Sequence, residues 1–346
     1  IRAGPTRYTP SPGLPELRAA IAAFLSRPGR DLTAEQVVVS TGAKQALFNA
    51  CFALFGAGDD VLVGTPFWTS YPEIVQLARA NPVFVQGPAD RGFLLDAEVL
   101  NAAVTPQTKG LLFSTPSNPT GVVYSREQLA EVADWAREKG IWLISDEIYR
   151  HIYFGDAGEA PGLLDLPEAQ VGPYVLIDGA SKSLAMTGWR IGFSVSSVEV
   201  AAKLSALQSH TTSNPSTPSQ VAALAAYSDR ERTAADVAVM RAAFRRRRDL
   251  VVRLFRERLP GLSFEEPEGA FYLFFDVSPL FAEERTTSSD VCSWLLQETG
   301  VAVVPGEAFG APGYARLSYA TSDERIIEAV ERMATCVGNL LSSSSS

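Results

Sequence analysis

The chain reads as an α/β protein: a large domain built on a mostly parallel sheet, followed by a smaller α+β domain. Three observations predict this. From residue 37 to about residue 195, short β-branched or apolar runs alternate with longer helix-like segments. The runs are apolar without alternation, as in strands buried on both faces, and the segments between them suit crossover helices. After about residue 230 the alternation gives way to one long helical stretch and a second set of strands. At 346 residues the chain is long enough for two domains of ordinary size.

Each element has its own signal. Val37-Val38-Val39 reads as a strand, and Ala43 to Phe55 as the helix after it. Val61-Leu62-Val63 is a strand leading to a helix over Tyr71 to Arg79, and Val83-Phe84-Val85 is a further short strand. Leu111-Leu112-Phe113 precedes a helix over Glu127 to Lys139, and Ile141 to Ile144, Val175 to Ile177 and Phe193 to Val195 follow as strands. The long helix carries Val237, Met240, Phe244, Val251 and Leu254 on one stripe. Its run Arg245 to Arg248 reads as a solvated face. Strands are expected at Phe271 to Phe275, Val301 to Val304 and Arg316 to Tyr319, with helices at Ser288 to Glu298 and from Glu324. The resulting division is 9–235 for the large domain and 236–341 for the small one, which starts with the bridging helix. Ser342 to Ser346 is a low-complexity tail expected to lack structure.

Composition narrows the function classes. Lys plus Arg is 30 against 39 for Asp plus Glu, a net charge of −9. No excess of cations is available to displace phosphate counterions, which excludes a general nucleic-acid binder. No apolar run reaches the about 18 residues of a membrane span. Cys51, Cys292 and Cys336 have neither metal nor disulfide spacing, and with only His151 and His210 a histidine-rich metal site is not expected. A cytoplasmic location with no metal is the expectation.

In open α/β sheets, ligands bind outside the carboxyl ends of the strands, so the residues after each strand matter most. After Val39 comes Ser40-Thr41-Gly42-Ala43-Lys44, a turn into a helix whose free N–H groups can hold a phosphate. After Phe113 comes Ser114-Thr115-Pro116-Ser117-Asn118-Pro119-Thr120-Gly121, where two prolines bracket an asparagine. After Ile144 comes Ser145-Asp146-Glu147-Ile148-Tyr149, an acid and a phenol three residues apart. After Ile177 come Ser181-Lys182 and then Met186-Thr187-Gly188-Trp189-Arg190. A lysine amine can form a Schiff base with an aldehyde cofactor. An Asp can keep a pyridine nitrogen protonated, Asn and Tyr can bond a ring hydroxyl, and a helix N-terminus with an Arg can hold a phosphate. Together these meet the requirements of pyridoxal phosphate.

On these four segments, which lie in order along a likeness running from Tyr8 to about residue 335, the chain resembles the class I aminotransferases of the aspartate aminotransferase fold. It is most similar to the bacterial subgroup that transaminates aspartate and, in some members, prephenate. The resemblance implies fold-type I architecture and roles for single residues. Lys182 would carry the Schiff base and then act as the base at the substrate α-carbon, with its pKa depressed. Asp146 would pair with the pyridinium nitrogen, and Tyr149 and Asn118 would bond the ring oxygen. Arg190 and the backbone of Gly42, Ala43 and Lys44 would hold the phosphate. Trp68 would stack on the ring. Arg316 would clamp the substrate α-carboxylate, beside Asn118 and Trp68. Lys44 would meet the distal carboxylate of an acidic substrate. Tyr8 would reach the phosphate of the neighbouring subunit, so that a homodimer shares its active sites.

Two departures stand out. Many relatives have Ser three positions before the lysine, where this chain has Gly179. Relatives also have several dozen residues before the segment matching Arg7-Tyr8, including an arm around the partner and a loop over the substrate. The chain starts at Ile1 without an initiator Met, and it is expected to lack that segment. The expected reaction is L-aspartate plus 2-oxoglutarate to oxaloacetate plus L-glutamate. The alternatives are a prephenate or aromatic aminotransferase or another pyridoxal-phosphate reaction on this fold, such as a carbon–sulfur lyase, and a non-catalytic cofactor-binding module.

Overall fold

The computed structural model describes residues 6–343; Ile1 and Ser344 to Ser346 lie outside the described residues. In chain order the elements begin α1 (Pro15–Leu25), β1 (Val37–Ser40), α2 (Ala43–Leu54), β2 (Asp60–Thr65), α3 (Tyr71–Leu77), β3 (Asn81–Gln86) and α4 (Ala97–Ala103). Then follow β4 (Thr108–Ser114), α5 (Arg126–Lys139), β5 (Trp142–Asp146), β6 (Tyr174–Gly179), α6 (Ala180–Ser183), β7 (Gly192–Val195), α7 (Val198–Ser209) and α8 (Thr217–Ser228). The last third comprises α9 (Arg230–Arg258), β8 (Tyr272–Asp276), α10 (Ser288–Thr299), β9 (Val304–Pro305), β10 (Tyr314–Ser318) and α11 (Asp323–Ser343).

Seven strands form one sheet in the order β1-β7-β6-β5-β4-β2-β3. The pairs from β6 through to β3 are all parallel, while β7 runs antiparallel to both β6 and β1. Six strands therefore share one direction. Because β7 runs against them, its amino end lies beside their carboxyl ends: Gly192 pairs with Ser40 and with Gly179. The residues just before β7 thus reach the same edge as those just after β1 and β6.

The buried strands confirm the apolar-run reading, since every residue of β1 and β7 is buried. The sheet's end strand β3 is the exception, with Phe84 half exposed. One face packs α2, α3 and α7 through Leu47, Cys51, Ile74 and Leu204, and the other packs α4 and α5 through Leu100, Leu129 and Trp135. Local chemistry sets the helix ends. Ser125 and Gln128 form a capping box on α5, and Gly140 ends it in the left-handed conformation.

The second sheet is antiparallel, in the order β8-β10-β9. Its core includes Val251, Phe255, Leu295 and Met333, joined by Ile148, Tyr149 and Ile152 from the loop after β5. That loop therefore belongs to both lobes.

Some expectations need correction. The strand expected at Val301 to Val304 shrinks to Val304–Pro305. Left-handed Gly300 ends α10, the Val301 N–H turns back to Thr299 Oγ1, and Pro305 has no N–H to extend the ladder. Arg245 and Arg246 are exposed as expected, but Arg248 is largely buried against Asp249, Glu266 and the Pro267 carbonyl. The serine tail was expected to be unstructured, yet α11 continues through Ser342 and Ser343. Helices α1, α4, α7 and α8 escaped the strand-centred reading. Their alanine-rich segments offer high helix propensity but a weak apolar stripe.

Candidate active site

Five loops at one edge of the large sheet, together with β8 and β10 of the small one, surround a cavity of about 240 Å3. It is lined by Lys44, Trp68, Asn118, Asp146, Tyr149, Lys182, Arg190 and Arg316, among others. Residues spread over more than 270 sequence positions meet there because the strands deliver them to one edge.

The end formed by α2 is built for an anion. Gly42 has φ of 84°, a conformation that favours glycine. A Cβ on Gly42 would overlap Arg190 Nη2, so the guanidinium lies directly against this backbone. Arg190 is itself left-handed at φ of 55° and is held by a 2.9 Å bond from Nη1 to the Thr187 carbonyl. The backbone N–H groups of Ala43 and Lys44 find no partner among the described residues. A turn of α2 and a planar guanidinium thus face the same space. The glycine at position 179 has a local reason: a Cβ there would press on Gly192 and the Ile191 carbonyl.

Asp146 closes β5, and only 5% of it is exposed. Its Oδ2 accepts from Tyr71 Oη at 2.8 Å and its Oδ1 from the Ile148 N–H at 3.2 Å. Burial raises the carboxyl to about 6, although both donors and the Lys182 cation oppose the rise. A buried acid poised near neutrality suits a partner that is itself cationic.

Lys182 is half-buried in α6, its Nζ 5.7 Å from the centre of the Tyr149 ring and 5.6 Å from that of Phe271. Burial lowers its pKa, Arg190 and Arg316 push the same way, and Asp146 opposes them. The depressed amine that proton transfer needs is therefore present.

On β10, Arg316 Nη1 donates to Asn118 Oδ1 at 2.7 Å. This bond fixes the amide, leaving Asn118 Nδ2 free to donate. Arg316 Nε is buried without a partner among the described residues, an orphan that a carboxylate would satisfy. Tyr149 Oη lies 2.9 Å from Tyr272 Oη.

Gly42, Ala43, Lys44, Trp68, Asn118, Asp146, Tyr149, Lys182, Arg190 and Arg316 are thus brought together. Lys44 is exposed, with Nζ 4.8 Å from the Trp68 ring centre. Tyr8 does not join them: it stands 92% exposed, outside this chain's cavity. Sequence reasoning missed Tyr71 and Tyr272. Tyr71 had a local signal, three residues after Trp68 at the start of a helix; Tyr272 had none, as it lies inside a strand of the other lobe.

These features fit pyridoxal phosphate. The glycine cradle and Arg190 suit its phosphate, buried Asp146 its ring nitrogen, and the orphaned Arg316 Nε a substrate carboxylate. Among the described residues, no helix is long and apolar enough to cross a membrane.

Comparison with known proteins gives the same picture. Residues 3–333 match the family model for aminotransferases of class I and II. The chain is 47% identical over 333 residues to an aspartate aminotransferase from Streptomyces avermitilis, covering 94% of this chain and 80% of that protein. It is 41% identical over 336 residues to the aspartate/prephenate aminotransferase of Thermus thermophilus, covering 97% and 84%. The solved aspartate aminotransferase from Thermus thermophilus with maleate superposes with a TM-score of 0.88 at 41% identity, covering 95% and 84%.

Proposed function

Because the chain belongs to the class I and II aminotransferases, we propose that it transfers the amino group of L-aspartate to 2-oxoglutarate. The products are oxaloacetate and L-glutamate. The observation that carries this reading is one cavity holding Lys182, Asp146 and Arg190 together with two further cations, Arg316 and Lys44.

Pyridoxal phosphate, when bound, supplies a pyridinium ring that takes up negative charge from the substrate α-carbon. Everything else falls to the chain. Arg190, Gly42, Ala43 and Lys44 would hold the phosphate, and Trp68 would lie against the ring. Asp146 holds the ring nitrogen protonated; the cation it meets there favours its charged form, reversing the effect of burial. Tyr149 Oη and Asn118 Nδ2 donate to the ring oxygen. Lys182 Nζ is the amine that would hold the cofactor through its aldehyde carbon, with loss of water. With its pKa lowered by burial, the Lys182 amine would move the proton from the substrate α-carbon to C4′ of the cofactor. Arg316 binds the α-carboxylate through a planar fork, and Lys44 meets the distal carboxylate, which selects acidic substrates.

The lobes divide this work, with 9–235 holding the cofactor and 236–341 supplying the Arg316 clamp. We place the enzyme in the cytoplasm as a homodimer. Its three cysteines are free, as in a reducing compartment. The exposed Tyr8 is available to reach the partner's phosphate site. Prephenate is a second acceptor to consider, on the name of the Thermus thermophilus relative.

Mixing the purified chain with pyridoxal phosphate tests the reading. An absorbance band that requires Lys182 should form, L-aspartate should bleach it, and 2-oxoglutarate should restore it. Lys182→Ala should abolish the band. If only an aromatic donor bleaches it, the acidic-substrate assignment is wrong; if no band forms, the catalytic assignment is wrong.

A further inference from the structure

Tyr272 belongs to none of the motifs, yet it touches two of the groups on which the proposed reaction depends. It lies on β8 opposite Ser318, which places it diagonal to Arg316 on the same face of the small sheet. Its ring centre is 4.3 Å from the Arg316 guanidinium carbon, and the Phe309 ring centre is 4.8 Å from that carbon. The cation therefore sits against two aromatic rings. At the other end of the same side chain, the Tyr272 hydroxyl lies 2.9 Å from that of Tyr149. Both tyrosines are buried, at 7% and 4% exposure.

Two hydroxyls at this distance share one hydrogen bond, and only one of them donates along it. If Tyr149 donated, its single proton would point away from the cofactor's ring oxygen. If Tyr272 donates, the Tyr149 proton is free to enter the cavity. The surroundings favour the second arrangement. Burial raises both phenols above their ordinary value, and at Tyr149 the neighbouring Tyr272 hydroxyl adds to the rise. The Arg316 cation opposes the rise at both, and Asp146 adds to it at Tyr149 alone. Tyr272, with its ring against the Arg316 cation and away from the Asp146 charge, is thus the better donor of the pair.

We propose that Tyr272 is a positioning residue that sets both ends of the site: its hydroxyl donates to Tyr149 Oη, and its ring holds the Arg316 guanidinium for the substrate carboxylate. This rests on the aminotransferase reading given above. A phenol that accepts one hydrogen bond becomes a stronger donor through its own O–H. Tyr272 therefore strengthens the bond from Tyr149 to the ring oxygen, which favours loss of the proton from the nitrogen joining Lys182 to the cofactor.

The test uses the full chain loaded with pyridoxal phosphate and a pH titration of its Lys182-dependent band. Tyr272→Phe keeps the ring and removes the hydroxyl, so the midpoint should move up by about half a pH unit. Maleate, a dicarboxylate with no amino group to react, should bind this variant within about twofold of the parent, because the stack on Arg316 remains. Tyr272→Leu removes the stack and should weaken maleate about fivefold or more. In a Tyr149→Phe background, Tyr272→Phe should add no further shift. An unchanged midpoint in Tyr272→Phe, or a full extra shift in the Tyr149→Phe background, overturns the proposal while leaving the aminotransferase reading intact. Failure of the parent chain to form any band overturns both.

Discussion

Tyr71 Oη and Asp146 Oδ2 lie 2.8 Å apart, both buried in the lining of the cavity, and the phenol donates to the carboxylate. With the Ile148 N–H on the other oxygen, this bond opposes the burial that raises Asp146 to about 6. Tyr71→Phe removes one of the two donors. The carboxyl should then hold its proton to higher pH, and affinity for pyridoxal phosphate at pH 7 should fall about fivefold to tenfold. The deficit should change with pH between 5 and 8. A constant affinity ratio across that range would mean that the hydroxyl does not support the charge.

Arg316→Lys tests the clamp. The arginine donates to Asn118 through Nη1 and still has an unpaired Nε. A lysine cannot serve both the amide and a bidentate carboxylate. The expected loss in kcat/KM is about 100-fold or more, with KM carrying much of it. Steady-state kinetics with aspartate over a wide concentration range would show it, and an unchanged KM would place the carboxylate elsewhere.

Gly42→Ala combines two penalties. The residue sits at φ of 84°, and its new Cβ would overlap the Arg190 guanidinium. Unfolding by urea should reveal about 1–2 kcal/mol of lost stability. Cofactor affinity should also drop, because Arg190 must move. Full retention of affinity would show that Arg190 does not depend on this close approach.

His151 predicts an acid-sensitive stability. It is partly buried beside Phe24 and Glu159, and that desolvation lowers its pKa to about 4. An unfolded histidine titrates near 6.5, so the unfolded chain binds the extra proton in the window between about 6.5 and 4. Stability present above that window is lost as pH falls through it, by about 2 kcal/mol between pH 7 and pH 5. Urea midpoints of the parent and His151→Phe should converge toward pH 5. Other groups titrate in the same range, but they cancel in the difference between the two proteins. Parallel curves would sink the assignment.

The sequence made much of this site legible because most of it is local. Lys182, Asn118 and Gly42 follow strands and Asp146 ends one, and strand ends can be read from apolar runs. Tyr272 could not be read this way, since its meaning depends on the register that sets β8 against β10. The burial of Arg248 was hidden for the same reason, as its partners Glu266 and Pro267 come from a later loop. The family resemblance assigned Tyr8 to a partner subunit, and among the described residues it stands almost fully exposed.

The reversed direction of β7 has a consequence for how the protein is made. A ribosome releases Gly42 early, but that backbone has no guanidinium beside it until Arg190 has emerged and β7 has turned back between β1 and β6. The clamp comes later still, on the strand that starts at Tyr314. A nascent chain thus presents the Gly42 turn well before either cavity arginine is in place. The cavity is therefore assembled from two distant parts of the chain: its anion-binding end closes when β7 pairs with β1 and β6, and its Arg316 end only when β10 pairs with β8.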